Sequence, residues 1–571
     1  MRTDTTGPKH VVNPALPAEA KPLLQGIRSL SGRDIIQRIN GLDHPQQEIR
    51  ALSAEDFYWI LKKVDDQDAL VLLELASEEQ WQYVLDLEIW KGDRLDLDVS
   101  EEWLGRLVQA DPGRLVRWLF SRGESLAYYH LFRSVDVVVI EDEEELWNLP
   151  DGYFTVDGTY YVRPLDPDRQ VHLEHLLRVM AEEDHTRYQA LLLDLAGVLP
   201  AELEEGMYRL RNVRLAEHGF LPAEEARAVY APLDPAVLER HMPAALPSEA
   251  FDGDAPAVPT AFLEHVGPGN VLTEAVALLQ DPPALDRIRM EFAGLCNQIL
   301  SADGDLTPDL DTLIRTCQRA SSYVNLGLER LGGKDPAAAA GVLERHSLIS
   351  LFRVGFGLAL KVKWEAERWL KQSWFAARDL SPEFWGAYWG GILSGVVEPR
   401  PRLFVGPAGQ GGEERRDFEW LSDLGESLKV IRRLMVLDAL LARITEIYPV
   451  SPNLMSSPDL SFRPLLFNLW ARQRLKLQPS FFSITPDQAT RFLETLGLEA
   501  GVGGTTGSMS VPGAGFVEDF MAFAGESDAE TSAILKDTLE LVWREFEEEY
   551  ERIDPEDMDG RYSKFFTLRA S

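Results

Sequence analysis

The chain has 571 residues, enough for about three or four domains, and 45% hydrophobic with 26% charged residues describe a folded protein that buries a core, not a disordered one. Its 93 acidic residues against 57 basic ones give a net charge of -36. Such a surface repels phosphate backbones and anionic lipid headgroups, so neither nucleic acid nor membrane is an expected partner; cations and basic protein patches are.

Residues 1–20 are rich in Pro, Thr and Ala and read as a flexible tail. Met1–Pro17 hold no apolar core of signal-peptide length. The longest apolar run, Leu348–Leu360, is interrupted by Arg353 and falls short of the roughly 20 residues that span a bilayer. The expectation is a soluble, cytoplasmic protein. Cys296 and Cys317 lack CxxC spacing, fit a reducing compartment and fall in predicted helices, where they read as buried apolar residues.

Residues 21–130 read as a stack of short helices. Phe57, Ile60, Leu61 and Val64 follow i, i+3, i+4, i+7; Ala69, Leu72, Leu73 and Ala76 repeat the pattern, and Trp81, Val84 and Leu85 begin it again. Ser53, Asp65 and Ser77 are expected N-caps twelve residues apart, Ser77 with Gln80 forming a capping box. Ser100 continues the series as a further expected cap, and Asp111 precedes Pro112 at a first helical position. Helices this short cannot bury their faces alone and must pack on neighbours, in the manner of a solenoid.

Residues 131–240 read as a mixed α/β region. Val135–Ile140 is a β-branched run that suggests a buried strand. Phe154–Val156, Asp157-Gly158 and Thr159–Val162 give a hairpin over 153–162, with Asp-Gly favouring a type I′ turn. The acidic cluster Glu141–Glu145 lies between them. One long helix is expected over 168–197, another over 201–218, and a short one from Pro222 to Tyr230. Residues 241–269 are Pro/Ala/Gly-rich and read as a linker. Residues 270–398 form a Trp-rich helical domain with Trp364, Trp369, Trp374, Trp385 and Trp389. Residues 399–415 read as a loop. The C-terminal helical region, 416–571, carries a Gly/Ser/Thr-rich loop at 501–515, a last helix near 528–552 and an acidic end. The fold class is therefore mainly α: a short-helix stack, a small α/β insertion with a hairpin, and a larger C-terminal helical part.

The run SAEDFYWILKKVDDQDALVLLELASEEQWQYVLDL, within residues 53–110, resembles the helical N-terminal cytoplasmic domain of MgtE magnesium transporters. The transporter's membrane helices and cystathionine-synthase-type domains have no counterpart, so transport and magnesium binding are not implied. The stretches GESLAYYHLFRSVDVVVIEDEEELWNLPDGYFTVDGTYYV, NVRLAEHGFLPAEEARAVYAPLDP and YVNLGLERLGG with LISLFRVGF resemble an uncharacterised bacterial family, the domain of unknown function DUF6178. That resemblance covers most of the chain and implies no catalytic residues.

Several near-motifs fail at named positions. His172, His175, Glu182 and His185 are candidate metal ligands: His172 and His175 share a helical face, as do Glu182 and His185. His172 and His185 lie about 20 Å apart along one helix at 1.5 Å per residue, which opposes a single site; an ordinary polar face is the competing reading. The acidic stretch Ser301–Asp311 has Pro308 and Ile314 where a calcium loop from Asp303 needs Gly and Glu, and reads as a turn with a helix cap. Gly327–Lys334 has one residue too many for a phosphate loop and no Ser or Thr after Lys334; Gly332-Gly333 reads as a helix end. Trp364, Trp369 and Trp374 are five apart, so they rotate around a helix rather than form a base-stacking row. No cofactor motif is present.

Three functions remain. The first is a protein-binding or regulatory scaffold, favoured by short packed helices and an acidic surface. The second is an enzyme of unfamiliar type near the α/β region, using His130, His172, His175, Tyr160, Tyr161 and Arg163. The third is a divalent-cation sensor. Whether a small-molecule ligand binds is left open by the sequence.

Overall fold

The computed structural model describes Leu24 and residues 29–140, 149–197, 199–240, 258–407, 413–455, 460–496, 510–525, 528–550 and 564–568. The expected tail, the Glu141–Glu145 cluster, most of the 241–269 linker and part of the acidic end lie outside the described residues. The protein is mainly α, with a few sheets of two or three strands. The chain divides into two compact units, Met1–Gly355 and Phe356–Ser571, with the boundary inside the helix Leu348–Leu370.

Four helices of the first unit start where the local cap signals put them. Ser53, Asp65 and Ser77 cap Ala54–Lys63, Asp66–Leu75 and Glu78–Glu88, each accepting the amide three residues on at 3.0–3.2 Å. Gln80 accepts the Ser77 amide in return, completing the capping box. Asp111 caps Pro112–Leu119. Ser100 caps nothing. A two-stranded hairpin, Trp90–Lys91 with Arg94–Leu95, turns at Gly92 with φ +68° and ends the twelve-residue series. The next helix, Leu97–Ala110, is capped by Asp96, and Ser100 is buried inside it with its hydroxyl donating to the Asp96 carbonyl.

The ends of these short helices are tied by side chains from other helices. The Gln80 amide donates to the carbonyls of Ile49 and Leu52 at 2.8 and 3.1 Å, at the end of Pro45–Arg50. Arg114 donates to the carbonyls of Ala76, Leu73 and Glu74 at 2.6, 2.9 and 3.0 Å and lies 4.0 Å over the Trp81 ring. Four orphan carbonyls are an intrinsic feature of every helix C-terminus, and here side chains meet them. Around these bonds Phe57, Trp59, Trp81 and Trp118 are fully buried.

The strand Val135–Val139 pairs antiparallel with Tyr160–Pro164, which also pairs with Phe154–Thr155 and is the central strand. Val135–Val139 is an edge strand, with Val135 buried and Val139 39% exposed, not the fully buried strand its β-branched run suggested. The hairpin forms without a type I′ turn. Only Gly158 has positive φ there; Asp157 instead accepts the amides of Thr159 and Tyr160, and Thr155 accepts that of Gly158. The helix expected over 168–197 is two helices, Gln170–Glu183 and His185–Asp194. Asp184 breaks it by turning its side chain onto the Arg187 amide, the cap habit of a short carboxylate. Further on, Gly304 ends Pro282–Asp303 with φ +82° and Asp309 caps Leu310–Gly332, so the acidic stretch is a turn between helices. Cys296 and Cys317 are buried free thiols 4.0 Å apart.

In the second unit, the stretch expected as a 399–415 loop contains paired strands, Leu403–Pro407 with Glu413–Arg416, and the following helix starts at Leu421. Residues 501–509 of the Gly-rich loop lie outside the described residues, and 511–524 are helical. The core is aromatic: Phe467 stacks on Phe546 and Phe516 with ring centroids 4.5 and 4.9 Å away. Buried Asp438 accepts the Trp369 indole N–H and the backbone amides of Trp374 and Phe375. Trp369, Trp374, Trp385 and Trp389 are therefore core residues, and Trp364 is 44% exposed.

Arg114→Ala removes the side-chain donor of the Ala76 and Glu74 carbonyls, leaves the Leu73 carbonyl to the Trp81 indole N–H alone, and uncovers the Trp81 face. We expect it to lower unfolding free energy by about 2–4 kcal/mol in denaturant titration. Arg114→Lys should recover only part, since one ammonium cannot span three carbonyls at the fork geometry of a guanidinium.

Candidate functional site

Three helices of the first unit enclose a small pocket of about 60 Å³. Leu97–Ala110 contributes Glu101, Gly105 and Gln109, one row at i, i+4, i+8, and beside it Leu104 and Val108. Gln170–Glu183 contributes His172, Leu173, His175 and Leu176, and Glu124–Ser134 contributes His130. The wall is mostly aliphatic and the polar groups are few, which is the usual make-up of a ligand pocket.

His130 is 2% exposed, and its Nδ1 has no hydrogen-bond partner. Burial pulls its pKa down to about 4, with Arg169 adding to the effect, so the ring is neutral near pH 7. His172 and His175 are exposed on the pocket's rim. Glu101 is raised by burial and drawn back by Arg169, whose Nη1 lies 2.8 Å from its carboxylate.

The other sequence candidates lie elsewhere. Tyr160 is buried in the sheet, and Arg163 on the same strand is paired with Asp136 at 2.9 Å over the Tyr153 ring. Neither they nor Tyr161 line the pocket. Glu182 and His185 do not share a helical face, because Asp184 ends one helix and starts the next between them. Among the described residues no group of three or more His, Cys, Asp or Glu is arranged to hold a metal ion.

A second polar cluster escaped sequence reasoning. Asp56 is fully buried and accepts the amides of Thr260 and Ala261 at 2.9 and 2.7 Å and the Thr260 hydroxyl at 3.1 Å. It thereby caps the short helix Ala261–Glu264 across 204 residues of sequence. Burial raises its pKa to about 6 despite those bonds. Its neighbour Glu55 holds His218 Nδ1 at 2.7 Å. Burial works against charge on His218, but the Glu55 hydrogen bond and charge outweigh it, and the His218 pKa rises. Glu264 is pushed by burial to about 7, with Arg289 pulling the other way. No single residue here has a motif: Asp56 reads in sequence as an ordinary first-turn acid.

A carboxyl whose folded pKa exceeds its unfolded value binds more protons in the folded state, so stability falls as pH rises between the two values. For Glu264 that window runs from 4.5 to about 7. Glu264→Gln should remove this component: its melting temperature should gain on the parent's as pH rises through the window. A constant difference across the window would contradict the assignment.

The family model described as a family of unknown function, DUF6178, matches residues 15–569. No curated protein and no solved structure matches the chain, so the likeness of residues 53–110 to the transporter domain gains no support. Among the described residues no helix is long and apolar enough to cross a membrane. With its family model running over almost its whole length, the chain belongs to the DUF6178 family.

Proposed function

We propose that the protein is a non-catalytic interaction scaffold whose partner is a basic protein segment with an apolar face. The observation that carries this reading is the helix Pro200–Glu217. It buries only Arg211 and Leu215 of its 18 residues, and leaves Leu210 and Val213 58% and 62% exposed one turn apart. Exposed apolar side chains in a row on one helix are a feature of partner surfaces.

The helix itself is held firmly. Arg211 is 1% exposed and donates to the Asp86 carbonyl; Arg214 grips the Asp86 carboxylate with two bonds of 2.7 Å. Anchored on that side, the helix presents Leu210 and Val213 without needing to move. Leu210 also borders a pocket of about 50 Å³ lined by Trp90, Leu95 and Met207, a receptacle for one apolar side chain of a partner. Exposed Glu202 and Glu217 on the same helix, and the net charge of -36, favour a partner rich in Lys and Arg; Glu205 is paired with Arg209.

The test is affinity capture from the native host with the parent and with Leu210→Glu/Val213→Glu as baits, followed by titration of the purified partner. Both positions are exposed, so the variant should stay within about 1 kcal/mol of the parent in stability. We expect one basic partner to be held by the parent, more weakly as salt is raised, and bound at least about tenfold more weakly by the variant. Equal capture by both baits, or no partner specific to the parent, would contradict the reading.

A further inference from the structure

We propose that the pocket walled by Gly105, His130 and Leu176 binds a small neutral molecule with an apolar body and one hydroxyl or carbonyl oxygen, which hydrogen-bonds to the His130 imidazole. This site is separate from the partner surface proposed above and does not depend on it.

The first support is Gly105. It lies inside the helix Leu97–Ala110, where glycine costs about 0.5–1 kcal/mol relative to alanine. Its backbone is not left-handed, and an added Cβ would meet no atom within 4 Å. Neither backbone conformation nor packing calls for glycine there. Gly123 nearby in sequence makes the contrast: a Cβ on it would meet the Trp118 ring at 2.4 Å. An added Cβ at Gly105 would enter open space, and Gly105 is one of the residues that line the pocket.

The second support is His130. The His130 ring lines the pocket while its Nδ1 is sealed away from it, and a polar ring edge in an aliphatic wall is what orients a ligand. A neutral imidazole carries one donor and one acceptor, so it can serve either a hydroxyl or a carbonyl. The aliphatic wall of Leu104, Val108, Leu173 and Leu176 supplies the complement to an apolar body.

Charge narrows the class. Glu101 at the wall is already engaged by Arg169, and His130 is buried and uncharged, so the interior of the pocket, inside the rim that carries His172 and His175, offers no free cation to an anionic ligand. A carboxylate entering it would lose hydration without compensation. Size narrows it further. At about 10–15 Å³ for each water-sized centre, 60 Å³ admits roughly four to six such centres. A small alicyclic alcohol or ketone fits; a nucleotide or a sugar phosphate does not.

Cyclopentanol is a suitable probe, with cyclopentanecarboxylate and cyclopentane as its charged and apolar counterparts. So few atoms give a Kd on the order of millimolar, which saturation-transfer NMR on the full chain detects. We expect transfer to cyclopentanol, little to the carboxylate, and a loss of about tenfold or more in Gly105→Leu, which fills the space. Gly105→Ala, a milder change that should raise the melting temperature through helix propensity, should weaken binding in the same direction. His130→Leu should weaken cyclopentanol by about threefold to tenfold and leave cyclopentane unaffected, the signature of one hydrogen bond. Absence of transfer to cyclopentanol with the parent protein, equal transfer with Gly105→Leu, or equal binding of the carboxylate would each overturn the proposal.

Discussion

Short helices confront this chain with a problem that a few long ones would not. Each helix leaves four N–H groups and four carbonyls without intrahelical partners, and the stretch from Ala54 to Leu119, built of helices eight to fourteen residues long, buries many such ends. Other parts of the chain must supply the missing partners. Gln80, Arg114 and Asp56 in the first unit, and Asp438 in the second, are buried polar side chains that bond to open backbone groups of elements remote in sequence. Without them, hydrophobic packing would bring together ends that bear the full desolvation penalty of unmade hydrogen bonds.

This arrangement explains why charged side chains are found in the interior. Asp56 accepts two amides, and the amides need a strong acceptor, yet burial works against the ionised carboxylate and raises its pKa. Arg114 meets the converse demand, three carbonyls and an indole face, for which a guanidinium is shaped. Such groups add little net stability over well-packed apolar ones, but they set which helix end meets which side chain. The same rigidity serves the outer surfaces. Arg211 and Arg214 lock one side of Pro200–Glu217 on Asp86, so its apolar residues are offered in a fixed geometry. At the pocket the logic inverts: Gly105 withholds a side chain that would fit, and His130 withholds a hydrogen bond.

What could be read from sequence was what is local. Ser53, Asp65, Ser77 and Asp111 announce their helices because the acceptor and the amide it meets are three residues apart. Ser100 misled because Asp96, just before it, competes for the same role with a better-placed carboxylate, and a hairpin intervenes. The break at Asp184 was hidden by an apolar pattern that continues in phase through it. Glu413–Arg416 pairs as a strand although four charged residues carry no β preference; its partner strand, not its composition, decides. The i, i+3 relation of His172 and His175 was visible, whereas the approach of His130 and the vacancy at Gly105 are tertiary facts. Asp56 meeting Thr260 across 204 residues has no signal in a single sequence at all.

The claim that helix ends are tied by distant side chains is tested most directly by hydrogen exchange on Asp56→Ala, followed peptide by peptide. The account predicts that amides at 258–266 lose protection while peptides of the second unit keep theirs. Undiminished protection at 258–266 in a folded Asp56→Ala protein would contradict it.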